Sequence, residues 1–226
     1  MCGRASLTKT EKELEKRFNA TFYREDIERY NPLPNFNVAP TNKLPVITNK
    51  DPEHFRPFQW GLVPFWAKDV KIGYKMINAR IETLASKPAF RQAFHKRRCI
   101  VPFDGFYEWK KTDGSKQPYF IHRKDGEAFA IAGLWEHWKD PSTGQNLYTF
   151  TLITQDPSPA ISKLHDRMPA MLLPEEEHLW IDDEIPAEEA LKVIQPYPDE
   201  LLEIYPVSTK VNNVRNNDPS LLERAG

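Results

Sequence analysis

The sequence predicts an α+β fold: a curved antiparallel β-sheet forming a barrel-like core, with helices at its periphery. Short runs rich in β-branched and aromatic residues recur along the chain with turn residues between them, and only a few segments carry helical spacing. Repeats, βαβ alternation and a Gly-rich phosphate loop are all missing. At 226 residues, 40% hydrophobic and 28% charged, the chain is expected to form one domain spanning 1–226.

Thr8-Lys9-Thr10-Glu11 has capping-box spacing, and Leu14 and Phe18 share a face, so a helix is expected over about residues 9–19. The Pro- and Asn-rich stretch to about residue 43 reads as an ordered loop. Strands are expected at Leu44–Thr48, Phe55–Leu62, Arg98–Phe103, Gln117–His122, Ala128–Trp135 and Leu147–Thr154. Thr112-Asp113-Gly114 and Lys124-Asp125-Gly126 supply turns that make hairpins of them. Ser86-Lys87-Pro88 opens a second helix with Phe90, Ala93 and Phe94 inward, and later helices are expected near Pro159–Leu164, Pro174–Trp180 and Ala187–Ile194. With 20 Pro against 9 Gly the loops should be stiff.

No apolar run is long enough to cross a bilayer and no signal-peptide pattern opens the chain, so a soluble intracellular protein is expected, cytoplasmic and nucleoid-associated if bacterial, with no membrane partner. Cys99 lies in a strand-like run and reads as a buried structural thiol; nothing has zinc-site spacing, and neither a metal nor a cofactor is expected. The net charge of −1 hides a segregation of sign. Lys87, Arg91, Lys96, Arg97 and Arg98 occupy a stretch without acids, whereas Glu175–Glu189 is acidic throughout, so the first could face a phosphate-bearing partner.

The chemistry gathers at Met1-Cys2-Gly3-Arg4. Removal of Met1 leaves Cys2 with an α-amine and a thiol on adjacent carbons. Their reference pKa values, about 8 and about 8.5, put both nucleophiles within reach near neutral pH. Such a 1,2-aminothiol condenses with an aldehyde to an imine and then closes to a five-membered thiazolidine. Four clusters could serve it. Asn78-Ala79-Arg80 sets an amide and a guanidinium on one face of an extended segment. Glu108, between Tyr107 and Trp109, is placed where desolvation favours the protonated acid. His165-Asp166-Arg167-Met168-Pro169 puts imidazole, carboxylate and guanidinium in succession. Trp60-Gly61-Leu62-Val63-Pro64-Phe65-Trp66 could pack in the core or stack on bases.

In these motifs, and in Asn37–Thr41, Ala132–Glu136, Thr151–Thr154 and Val207–Asn213, the chain resembles the SOS-response-associated peptidase (SRAP) family, whose members crosslink to abasic sites in DNA. The resemblance implies a compact α+β fold with a positive channel leading to Cys2, and as partner single-stranded DNA carrying a ring-opened abasic site. It implies Cys2 as nucleophile, Asn78 positioning its amine and the sugar, Glu108 shuttling protons and His165 assisting ring opening. Arg4, Arg80 and Arg167 would hold phosphates, and Trp60, Trp66, Trp109, Met168 and Pro40 would line or wedge the strand. Family members often carry Ala-Asn where this chain has Pro157-Ser158. Peptidase, abasic-site lyase and crosslink-reversal activities come with the resemblance, and a monomer is expected. Two other classes stay open on residues alone: an N-terminal-nucleophile amidohydrolase of the glutamine amidotransferase type, and a noncatalytic binder of single strands or modified bases.

Overall fold

The computed structural model describes residues 2–112 and 114–226. Its strands, in chain order, are β1 Ala5–Leu7, β2 Thr21–Phe22, β3 Asn35–Val38, β4 Lys43–Thr48, β5 Asp51–Trp60, β6 Asn78–Arg80 and β7 Arg98–Phe103. β8 Gly105–Thr112, β9 Ser115–Arg123, β10 Phe129–Lys139, β11 Asn146–Gln155, β12 Met168–Pro169, β13 Met171–Leu172 and β14 Leu202–Pro206 follow. The α-helices are α1 Glu11–Phe18, α2 Arg91–Lys96, α3 Pro174–Ile181 and α4 Ala187–Leu191.

Five strands close a barrel in the order β11–β10–β7–β4–β5 and back to β11. The sequence reading expects antiparallel pairing throughout; the closing pair is parallel, with Thr149 opposite Gln59 and Phe150 opposite Trp60. The long excursion between β5 and β11 permits this, because a parallel pair needs a crossover rather than a tight turn. Closure removes two sheet edges and buries Trp60, Phe103, Phe150, Val101 and Leu134 inside one cluster. A second, five-stranded sheet runs β14–β9–β8–β1–β3 beside it. The chain crosses from barrel to second sheet between β7 and β8. There a Cβ on Gly105 would lie 2.3 Å from the Phe120 ring, so only glycine fits the crossing.

Local differences from the sequence reading have local causes. The capping box of α1 is Thr10 with Glu13, not Thr8 with Glu11: the Glu13 backbone N–H donates to Thr10 Oγ1 and the Thr10 N–H to Glu13 Oε2 at 2.8 Å. Thr8 is taken elsewhere, its N–H donating to the Asp104 carboxylate. The expected loop before residue 43 contains β3, because pairing with β1 outweighs the poor strand propensity of Asn35 and Asn37. α2 begins at Arg91, with Phe90 as its N-cap. Near 161–163 there is a 3₁₀ turn rather than an α-helix. Asp113 of the β8–β9 turn lies outside the described residues. No helix among the described residues is long and apolar enough to cross a membrane.

Candidate functional site

β1 delivers the N-terminal residues to the site. It pairs antiparallel with β8, Ala5 opposite Phe106, and the Tyr107 N–H donates to the Arg4 carbonyl at 3.0 Å, carrying the pairing one residue toward Cys2. On its other edge β1 pairs with β3, so the strand is gripped from both sides. Cys2 is fully buried, and its carbonyl accepts a 2.7 Å hydrogen bond from Asn78 Nδ2. Asn78 is itself fixed by β6, which lies parallel to β11 with Asn78 opposite Leu152. Met1 lies outside the described residues.

Glu108 follows on β8, with only 2% of its surface exposed. Burial pushes its carboxyl up to about 7, with the charge of Asp166 adding to the effect and the Trp109 backbone N–H opposing it. A carboxyl at that value can both give and take a proton near neutrality. Burial, and then the charge of Glu108, push the Cys2 thiol far above its ordinary range. Cys2 and Glu108 therefore lie within electrostatic reach of each other, and the resting sulfur is a thiol.

His165 comes from the loop before β12. Its Nδ1 accepts from the Arg167 N–H at 3.1 Å and faces Asp166 Oδ1 at 2.7 Å. The first contact suits a neutral ring and the second an Nδ1–H, so protonation exchanges one partner for the other. Burial foremost lowers the imidazole's proton affinity, and the Lys111 charge acts in the same direction. Together Arg4, Glu108, Trp109, Lys111, Lys116, His165 and Asn212 line a cleft of about 410 Å³. A larger cavity of about 580 Å³, between Phe18, Ile100 and His178, contains none of these groups.

Arg4 is half-buried in the cleft wall. Its Nη1 donates to Asn37 Oδ1 at 2.7 Å and to the Val211 carbonyl at 2.6 Å, and its guanidinium lies 5.9 Å from the Trp109 ring centre. Both acceptors are neutral, and burial lowers its proton affinity. Buried Asn37 also donates to the carbonyls of Val211, Asn213 and Asn216, while Trp109 Nε1 donates to Asn212 Oδ1 at 2.7 Å. The C-terminal segment is thereby bound down as one wall of the cleft.

Several expected contacts are corrected by burial. Trp60 is fully buried; its Nε1 donates to the Ile77 carbonyl and its ring stacks on Phe150 at 6.2 Å, so it cannot reach a base. Phe65 and Trp66 of the same segment are about half exposed and remain available. Met168 is buried, its sulfur accepting from the Ser158 N–H. Arg167 is 6% exposed and ties down the loop through Glu82, Asp156 and the Thr154 carbonyl, so its charge is already compensated. Arg80 is exposed at the end of β6, and Pro40 is half-buried. The basic stretch is partly consumed as well: buried Arg98 donates to the carbonyls of Trp180, Asp182 and Ile185, and Arg97 pairs with Glu136.

The profile of the SOS response associated peptidase (SRAP) family matches residues 1–214. The chain belongs to this family. It is 42% identical over 226 residues to "Abasic site processing protein YoqW" of Bacillus subtilis, covering 99% of each chain. It is 33% identical to "Abasic site processing protein HMCES" of Xenopus tropicalis, over 98% of this chain and 78% of that one. Among solved structures, a Bacteroides thetaiotaomicron protein superimposes with a TM-score of 0.91 at 29% identity, over 99% of this chain and all of the other.

Ser158, of the Pro157-Ser158 pair that departs from the resemblance, is buried and its Oγ accepts from the Ile161 N–H at 3.4 Å, starting the 3₁₀ turn before His165. Asn37, Val211 and Asn212 were not singled out as site residues by the sequence reading, although both segments carry the resemblance. Lys111 and Lys116 were missed too; their spacing about the hairpin turn was the available signal.

Proposed function

We propose that this chain processes abasic sites in single-stranded DNA by attaching itself to them through Cys2. The carrying observation is convergence: Cys2, held by Asn78, lies within electrostatic reach of Glu108, whose carboxyl burial pushes up to about 7, and Glu108 lines a cleft whose half-buried cation Arg4 has no carboxylate partner among the described residues. An aldehyde-bearing polyanion fits both halves of that arrangement. The names of the relatives, abasic site processing proteins, point the same way.

Once Met1 is removed, the Cys2 amine adds to C1′ of the ring-opened sugar to give a carbinolamine. Protonated Glu108 supplies the proton with which hydroxide leaves as water, giving an iminium. The thiol sulfur then bonds to the same carbon as its proton passes to the Glu108 carboxylate, and the ring closes. The sum is aldehyde plus aminothiol to thiazolidine plus one water. Because burial keeps the sulfur protonated, the amine reacts first. Ring closure removes the iminium that would otherwise drive β-elimination and strand cleavage, so the lesion is shielded. Neutral His165 is suited to accept the sugar hydroxyl proton during ring opening.

The test is a uracil-excised single-stranded oligonucleotide, read by denaturing gel and intact mass. A heat-stable adduct at the summed masses less one water, on a chain lacking Met1, is expected. Cys2→Ala should abolish it, and an undiminished adduct in that variant would sink the mechanism. Binding that disappears at high salt with no adduct would favour the noncovalent single-strand binder instead.

A further inference from the structure

Beyond the reacting centre, the β8–β9 hairpin carries a charge arrangement that folding alone does not favour. Lys111 and Lys116 stand directly opposite each other in the antiparallel ladder. Cross-strand partners have Cβ atoms about 5 Å apart, and like charges so placed repel. Both side chains are exposed, and among the described residues neither has a carboxylate within ion-pair distance. Trp109 shares their face by the two-residue period of the strand, and Arg4 lies over the Trp109 ring. The four residues thus form one row along the wall of the cleft, three of them cationic, running from beside Cys2 toward the hairpin tip about 7 Å beyond Trp109. Of the carboxyls beside it, Glu108 is held partly protonated near neutrality by its burial, and Asp166 is already on His165.

We infer that the Lys111–Lys116 pair is a phosphodiester subsite that holds the backbone of the strand leaving the lesion along the β8–β9 hairpin. An anion between the two ammonium groups converts their repulsion into a shared contact. The aromatic face of Trp109 offers the adjoining base a stacking surface, a sequence-tolerant contact of the kind single strands use. The location rests on the reading of Cys2 as the abasic-site nucleophile, but the subsite itself needs no lesion.

That independence sets the experiment. Noncovalent binding of an intact oligothymidylate is followed by fluorescence anisotropy across a salt titration. The wild type is compared with Lys111→Gln/Lys116→Gln and with a charge-matched control, Lys50→Gln/Lys192→Gln, whose lysines sit in exposed ion pairs remote from the cleft. Each single-strand phosphate contact contributes about 0.7 to the slope of log K against log salt, so the hairpin variant, losing the one shared phosphate, should be shallower by about 0.7. A fourfold rise in salt would then cost the wild type about 2.6-fold more affinity than the variant. The control should keep the wild-type slope. Equal slopes in wild type and hairpin variant, an equal fall in the control, or a wild type with no salt-dependent binding would each overturn the subsite. A thermal melt excludes unfolding as the cause, since losing the repulsion should leave the melting temperature unchanged or higher. Adduct formation is scored separately on wild type and Cys2→Ala. A missing wild-type adduct with a shallower hairpin slope removes the covalent reading and leaves the subsite standing; an adduct with unchanged slopes does the reverse.

Discussion

Glu108 shows most directly how a residue acquires chemistry from its surroundings. In water its carboxyl would be ionised at neutral pH; burial brings it to about 7. Two consequences follow. In the proposed mechanism the attacking amine must be deprotonated and Glu108 protonated, so the crosslinking rate should be bell-shaped in pH. The amine sets the acid limb at about 8 and Glu108 the alkaline limb near 7, with the maximum between them. In Glu108→Gln the alkaline limb should vanish and the rate should fall by about 10²-fold or more. The second consequence concerns stability. Because the folded-state value is raised, the folded protein binds more protons than the unfolded chain between the two values. Stability is therefore full below the unfolded value and is lost as pH rises through about 7. Glu108→Gln should be more stable than wild type at pH 8, by about 3–4 kcal/mol, and about equal to it at pH 4. Denaturant melts at the two pH values check this; no gain at pH 8 would show that the carboxylate is better accommodated than its burial implies.

At the scale of elements, two buried side chains join segments distant in sequence. Arg98 on β7 donates to three carbonyls at and beyond the end of α3, acting as a cap supplied from another strand. Arg98→Ala should leave those carbonyls unsatisfied and destabilise the fold by about 2–4 kcal/mol, with little effect on DNA affinity because the guanidinium never meets solvent. Urea unfolding beside a binding titration separates the two effects. Asn37 on β3 does the same for the C-terminal wall, bonding Val211, Asn213 and Asn216 while its oxygen receives Arg4. Asn37→Ala should raise amide exchange at 209–216 selectively and weaken single-strand binding by releasing Arg4. Uniform exchange across the chain would show that this segment is held by other contacts.

For the whole molecule, the closed barrel gives the site a rigid support. Its interior tolerates little added volume: a Cβ at Gly133 on β10 would meet the Thr151 carbonyl oxygen at 2.7 Å and the Cys99 sulfur at 3.1 Å. Gly133→Ala should cost about 1–3 kcal/mol, lowering the melting temperature by about 2–4 °C per kcal/mol, while leaving the denaturant m-value unchanged. A neutral result would mean that β10 and β11 can separate locally. The five barrel strands and β9 were legible because each carries its own record of period, β-branching and bounding turns, and Arg98–Phe103 is read to the residue; β8 and the shorter strands were not, because they are defined by partners remote in sequence. A barrel-like core was expected, but its parallel closing pair was not, since nothing local marks the pairing of Gln59 and Trp60 with Thr149 and Phe150.

The sequence by itself determined which reactive groups exist and where the barrel strands and the α-helices run. A Cys directly after Met1, an Asn, a Glu between aromatics and a His beside an Asp are matters of residue type and spacing, and short-range periodicity survives any tertiary arrangement. Only the tertiary structure decided which of the charged and aromatic residues are free to act. Arg167 and Arg98 are as basic as Arg4 in the sequence, and Trp60 is as aromatic as Trp66. Carboxylates and carbonyls from remote segments occupy the first two, and barrel closure buries Trp60, while Arg4 and Trp66 stay within reach of solvent. Burial and partnership are non-local properties, because the desolvation of a group and the acceptors that satisfy it come from whatever the rest of the chain packs against it.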